Sequence, residues 1–257
     1  MNWAVVVEYC NVLSEDAMLS EKNIPSRERL IFALDVSRID EAKEYVHKLG
    51  ESVVIYKLGL QIFMAGGYYE LIEWLVARQK KIFVDLKFFD VPETVRSAVK
   101  QLNNRKIDFA TVHGNDDILR AACEAKNGIK ILAVTALTSL DRHDLKDLGF
   151  NCDVMDLVLS RARRALGIGC DGVISSGLEA TQLRQTLGEG FLIVSPGIRP
   201  VENRLIDDQK RTVDVEEAFR NGADYIVVGR PIRNANNPRE AAENFQARIV
   251  SVFSENR

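Results

Sequence analysis

From Leu30 onward, eight short apolar runs alternate with longer amphipathic segments, and this alternation limits the possible folds more than any other feature of the chain. The runs are IFALDV (31–36), VVIYKL (53–58), IFVDLK (82–87), FATVH (109–113), IKILAVT (129–135), GVIS (172–175), FLIVS (191–195) and YIVVG (225–229). Most are continuously apolar, as parallel strands buried on both faces must be. The segments between them read as helices. IDEAKEYVHKLG stops at Gly50, and GYYELIEWLVARQ places apolar residues at helical spacing. Pro92 suits a first helical turn, and Asn237-Pro238-Arg239-Glu240 resembles a capping box opening the last helix. Eight strand–helix units in 257 residues predict a single-domain α/β chain folded as a (β/α)8 TIM barrel over residues 28–257. Residues 1–27 show no clear period and are expected to be a disordered N-terminal extension. The alternative, an open doubly wound sheet, lacks a GxGxxG fingerprint after the first run.

The 34 basic and 37 acidic residues leave a formal charge of −3, which argues against a nucleic-acid or membrane-surface partner. A bound anion must therefore be held by a local cluster. Cys10, Cys123, Cys152 and Cys170 form no CxxC pair and have no histidine at zinc-ligand spacing. They read as free thiols in a reducing cytosol, and the expected location is cytoplasmic. No apolar run reaches the length of a membrane span, and the N-terminus lacks the basic flank and long apolar stretch of a signal peptide.

Barrels of this kind carry their active sites at the carboxyl ends of the strands, so polar residues there are the candidates. VDLKFFDVPETV (84–95) places an acid, a base and another acid where a purely structural strand would continue with Val, Ile or Leu. On a regular strand Asp85 and Lys87 share one face, roughly 7 Å apart along its axis, with Leu86 facing the helices. Buried ions need partners, which Asp35 and Lys57 on the neighbouring strands can supply. A structural ion-pair network competes with this reading, but four charges at the ends of three consecutive strands favour function. A second group closes the last two strands. SPGIRP (195–200) and VVGRPI (227–232) combine Arg199, Gly229 and Arg230 into an expected phosphate site. VENRLIDDQKRTVD (201–214) fits a mobile lid or an idle surface loop equally well. His113 reads as a structural residue at a strand end, and His47 and His143 as solvated. No set of residues has metal-ligand spacing, so neither metal nor other cofactor is expected.

DLKFFDVPETV resembles the DxKxxDIPxT signature of the orotidine 5'-monophosphate decarboxylase family. FALDV, IYKLG, ALTS, SPGIRP, DDQKR and IVVGRPI resemble further motifs of that family in the same order, over roughly residues 29–250. The DxKxxD element alone is shared with hexulose phosphate synthases. The resemblance implies a cofactor-free carboxy-lyase of pyrimidine biosynthesis, acting on orotidine 5'-monophosphate. It implies that Lys87 donates a proton, that Asp85 faces the substrate carboxylate, and that Asp35 and Lys57 hold the ribose hydroxyls. Thr138 is implied to contact the pyrimidine, and Arg199, Gln209, Gly229 and Arg230 to hold the phosphate. Asp90 and Thr94 are implied to reach into a neighbouring subunit's site, making the enzyme a homodimer. A metal-dependent sugar-phosphate aldolase or epimerase on the same barrel is the alternative. A non-enzymatic nucleotide-binding barrel is a third reading, which an intact Lys87 with its acidic partners disfavours.

Overall fold

The computed structural model describes Leu19, residues 22–199 and residues 211–254. Its strands are β1 (Leu30–Ala33), β2 (Ile55–Gly59), β3 (Lys81–Phe88), β4 (Phe109–Val112), β5 (Lys130–Val134), β6 (Gly172–Ile174), β7 (Leu192–Ser195) and β8 (Tyr225–Val228). Each falls within or beside one of the eight apolar runs. They pair in parallel in chain order, and β8 returns to β1, so the barrel is closed. The helices are α1 (Ile39–Leu49), α2 (Leu60–Phe63), α3 (Tyr68–Val76), α4 (Pro92–Leu102), α5 (Asp116–Ala125) and α6 (Arg142–Asp147). After them come α7 (Val154–Ile168), α8 (Ala180–Leu187), α9 (Val215–Arg220), α10 (Arg230–Arg233) and α11 (Pro238–Ser254).

The local signals act as the residue chemistry requires. Gly50 ends α1 at φ +53°, a conformation that is strained for any residue bearing a Cβ. Pro92 occupies the first turn of α4, where no amide donor is needed. Asn237 Oδ1 accepts from the Glu240 amide at 3.3 Å, and Glu240 returns a bond from the Asn237 side-chain amide rather than from its backbone N–H. Only the returning bond of this capping box joins two side chains, with Glu240 Oε2 accepting from Asn237 Nδ2.

Strand residues alternate between two cores. Ile31, Ile55, Phe83, Phe109, Leu132 and Tyr225 fill the barrel interior, with Ala33, Val134, Ile174 and Val227 nearer its carboxyl end. Their neighbours Leu30, Phe32, Tyr56, Ile82, Val84 and Ile226 pack outward against the helices. The interior parity continued past each strand end selects the side chains that can reach the mouth.

Two features depart from the sequence expectation. β3 is not regular to its end: its pairing with β4 jumps from Val84↔Ala110 to Phe88↔Val112, and Lys87 adopts φ +49°. A lysine held there costs about 1–2 kcal/mol, so the surrounding contacts must impose it. Leu86 nevertheless packs outward, as expected. The ordered fold also begins before residue 28. Ile24 packs against the interior core, Lys22 pairs with Asp224 at 3.1 Å, and a 3-10 turn spans Ser26–Glu28. Residues 22–27 therefore belong to the barrel floor, because the amino end of the interior needs an apolar cover and Asp224 needs cations.

Candidate active site

The interior parity leads into a cavity of about 450 Å³ at the carboxyl ends of the strands. Phe83, Val134, Ile174 and Val227 form its apolar floor. Asp35, Lys57, Asp85 and Lys87 line one side, Arg199, Gly229 and Arg230 another, and Leu137, Thr138 and Ser139 also border it.

The charges form a continuous chain. Lys57 Nζ lies 3.0 Å from Asp35 Oδ1 and 3.4 Å from Asp85 Oδ2, and Lys87 Nζ donates to Asp85 Oδ1 at 2.8 Å. Burial acts against the Lys57 ammonium, but Asp85 and Asp35 together outweigh it, and its pKa is raised. Burial likewise acts against the Asp85 carboxylate. Lys57, Lys87 and the hydrogen bonds from Lys87 and Thr111 overcome it, and Asp85 lies below the ordinary carboxylate range. Both groups are therefore charged near neutrality. Lys57 is almost enclosed, with its side chain 11% exposed, whereas the Lys87 side chain keeps 35% exposure toward the cavity. Gly59 makes room for the chain of charges: a Cβ there would sit 3.1 Å from Lys57 Nζ and 3.2 Å from Asp35 Oδ1.

Thr111 was not anticipated from the sequence, and it joins the two halves of the Asp85–Lys87 pair. Its hydroxyl accepts the Lys87 backbone N–H at 2.9 Å and donates to Asp85 Oδ1 at 2.9 Å. One side chain thus takes over the ladder bond lost at the bulge and orients the carboxylate beside the lysine. The available signal was parity, since Thr111 follows Phe109 on the interior face of an otherwise apolar strand. Arg233 was also missed. It lines the cavity, and its guanidinium donates to the Asp35 carbonyl, fixing the end of β1 against α10.

At the opposite wall, Gly197 takes φ +80°, and the Arg199 amide bonds Val213 O at 3.0 Å, so the SPGIR turn is anchored to the segment entering α9. Arg199 is buried. Gly229 precedes α10, and a Cβ on it would approach the Ala33 Cβ to 3.3 Å. Close strand packing therefore favours glycine there. Gln209 lies outside the described residues. Arg211, where the described chain resumes, pairs with Glu179 at 2.5 Å and donates to Leu137 O at 2.8 Å, bracing the β5 loop that carries Thr138.

Asp90 and Thr94 do not line this cavity. Both are exposed, and Asp90 Oδ1 accepts the Val91 amide at 2.7 Å. His113 stacks edge-on against Phe89 with centroids 5.2 Å apart. Burial, then Arg161 and Lys87, pushes its pKa down, so it is neutral near pH 7. His47 and His143 are exposed, and Ser175 bonds Glu179 within the fold. Among the described residues no helix is long and apolar enough to cross a membrane.

Comparison with known proteins places this geometry in context. A family model described as "Orotidine 5'-phosphate decarboxylase / HUMPS family" matches residues 28–245. The chain is 63% identical over 236 residues to an orotidine 5'-phosphate decarboxylase of Methylococcus capsulatus, covering 92% of this chain and 98% of that one. It is 46% identical over 240 residues to the orotidine 5'-phosphate decarboxylase of Stenotrophomonas maltophilia, covering 92% and 99%. The crystal structure of orotidine 5'-phosphate decarboxylase from Lactobacillus acidophilus superposes with a TM-score of 0.77 at 33% identity, over 86% of this chain and 99% of that one.

Proposed function

The chain belongs to the orotidine 5'-phosphate decarboxylase / HUMPS family, and from that premise we infer how it works. It is a carboxy-lyase that converts orotidine 5'-monophosphate to uridine 5'-monophosphate and CO2, a step of pyrimidine biosynthesis. Arg199, Arg230 and the Gly229 backbone hold the phosphate, together with Gln209, which is assigned by its place in the DDQKR run. Asp35 and Lys57 take the ribose hydroxyls, and Thr138 contacts the pyrimidine. The substrate carboxylate then lies against Asp85.

Breaking the C6–carboxylate bond leaves an electron pair in the plane of the ring, where conjugation cannot spread it. The Lys87 ammonium faces that pair, stabilises it, and then transfers its proton to C6. Asp85 holds Lys87 in place, and the apolar floor limits the water that would screen the charge. The phosphate, remote from the reacting carbon, supplies binding energy that orients the ring. The observation carrying this reading is that the Asp35–Lys57–Asp85–Lys87 chain and the two arginines open onto one cavity.

The homodimer belongs to this proposal, as does a cytoplasmic location. Asp90 and Thr94 are exposed and absent from their own chain's cavity, which suits residues completing a partner's site. Mixing inactive Lys87→Ala with inactive Asp90→Asn should restore about a quarter of wild-type activity, because half the dimers are hybrids with one intact site. No recovery after verified subunit exchange would rule out sharing.

The function itself is tested by following the loss of orotidine 5'-monophosphate absorbance with purified protein in EDTA. Sustained turnover is expected. No turnover, or turnover only after a divalent cation is restored, would favour the sugar-phosphate aldolase or epimerase reading.

A further inference from the structure

Cys123 lies near the end of α5, and Cys170 follows the left-handed Gly169 that ends α7. Their Sγ atoms are 3.5 Å apart. The pair sits at the amino ends of β5 and β6, across the barrel from the cavity. Its flanks are tied together: Lys126 Nζ donates to Gly169 O at 2.8 Å and to Asp171 Oδ2 at 2.7 Å. Asp171 in turn accepts the Ile131 amide at 2.7 Å. The residue after Cys170 and the residue three beyond Cys123 are thus pinned to each other and to β5. Sulfurs in contact at 3.5 Å need to close by only about 1.5 Å to reach disulfide length.

We propose that Cys123 and Cys170 form a reactive thiol pair that closes to an intramolecular disulfide when the native protein meets a low-molecular-weight disulfide such as oxidised glutathione. The two sulfurs have different roles. Cys123 is half-buried, and the hydrogen bond from Cys170, with the Lys126 ammonium adding to it, holds its thiol below the ordinary range. Cys170 is buried, and its hydrogen bond to Cys123, with burial adding to it, pushes its thiol up. Cys123 thiolate therefore attacks one sulfur of the donor, forming a mixed disulfide and displacing one small thiolate, which takes up a proton. Cys170 loses its proton and attacks the Cys123 sulfur, releasing the second small thiol. Two protein thiols are oxidised to one disulfide, and one donor disulfide is reduced to two thiols. The new bond closes a loop containing β5 and the segment carrying Thr138. It constrains the unfolded chain and leaves Lys87 and its partners untouched.

The experiment uses the full chain with Cys10→Ser and Cys152→Ser, treated natively with oxidised glutathione and analysed by intact mass and peptide mapping. The expected product has lost two hydrogens, has no titratable thiol, yields one peptide pair linking Cys123 to Cys170, and melts several degrees higher until dithiothreitol is added. Adding Cys170→Ala should trap the glutathione adduct on Cys123. Adding Cys123→Ser should leave Cys170 unmodified. Circular dichroism checks that both variants are folded. If the native pair retains both thiols, or stops at a stable adduct on Cys123, the proposal fails.

Discussion

The two ends of the barrel both carry buried ions, and they use them in opposite ways. At the floor, Arg184 and Asp224 are fully enclosed and 2.8 Å apart. Every arm of Arg184 meets a fixed acceptor, with Nε and Nη2 on Gly222 O and Nη1 on Phe191 O, and Asp224 also accepts the Ile193 amide. At the mouth, Lys57 and Asp85 are largely but not fully enclosed, and the chain they belong to ends in Asp35 and Lys87, whose side chains are 37% and 35% exposed and border a cavity. Ions whose hydrogen-bonding capacity is used up by backbone cross-link a fold. Ions left with free faces in a semi-enclosed space are positioned to act on something that enters it. A buried charge therefore indicates function only once the acceptors around it have been counted.

The same substitution at both ends gives the sharpest contrast. Arg184→Ala should cost about 3–5 kcal/mol in a urea titration, because it takes the enclosed cation from buried Asp224, leaving the partly exposed Lys22 beside it, and removes the donor to Gly222 O and Phe191 O, while the folded fraction keeps its KM. If Arg230 holds the phosphate as proposed, Arg230→Ala should raise KM about 10–100-fold, with a nearly unchanged unfolding midpoint. The contrast would break if Arg184→Ala altered KM without destabilising the protein, or if Arg230→Ala left KM unchanged.

A smaller effect is expected at Thr111. Thr111→Val keeps the shape and removes the hydroxyl that serves both Asp85 and the Lys87 backbone, so kcat should fall about tenfold with little change in KM. That hydroxyl is one of the groups holding the Asp85 pKa down. Its loss lets Asp85 protonate at higher pH, and the acid limb of the kcat profile should move upward. Thr111→Ser should restore most of both. Full kcat with an unmoved acid limb in Thr111→Val would assign Thr111 to packing alone. The linkage to folding has the same sign. Because the native pKa of Asp85 is depressed, its contribution to stability is present above the ordinary carboxylate value of about 3.9 and is lost as pH falls through the native value.

The strands and the four mouth charges were legible because both follow from local periodicity. A parallel strand buried on two faces must be apolar throughout, and the same parity that places Phe83 inside places Asp85 there. What escaped reading depends on partners distant in sequence. Thr111 looks like any β-branched strand residue until the β3 bulge brings the Lys87 amide to it. Asp224 merely precedes an apolar run, and Arg184 sits on a helix; nothing in either neighbourhood announces that they meet 40 positions apart. Lys22 and Ile24 carry no period because they cover the floor as single contacts. Asp90 and Thr94 share the Lys87 motif and lie outside this chain's cavity, an arrangement that only the family resemblance, not periodicity, implied.

The role of Lys87 is tested most directly by removing its amine and measuring turnover and product binding on the same sample. Lys87→Ala should lose at least about 10⁴-fold in decarboxylation rate, because the proposed role makes it the source of both the proton and the charge at C6. Calorimetric affinity for uridine 5'-monophosphate should stay within a few-fold of wild type, since the phosphate and ribose contacts remain. Near-normal decarboxylation by this variant, or a loss of nucleotide affinity as large as the loss of rate, would contradict the assignment.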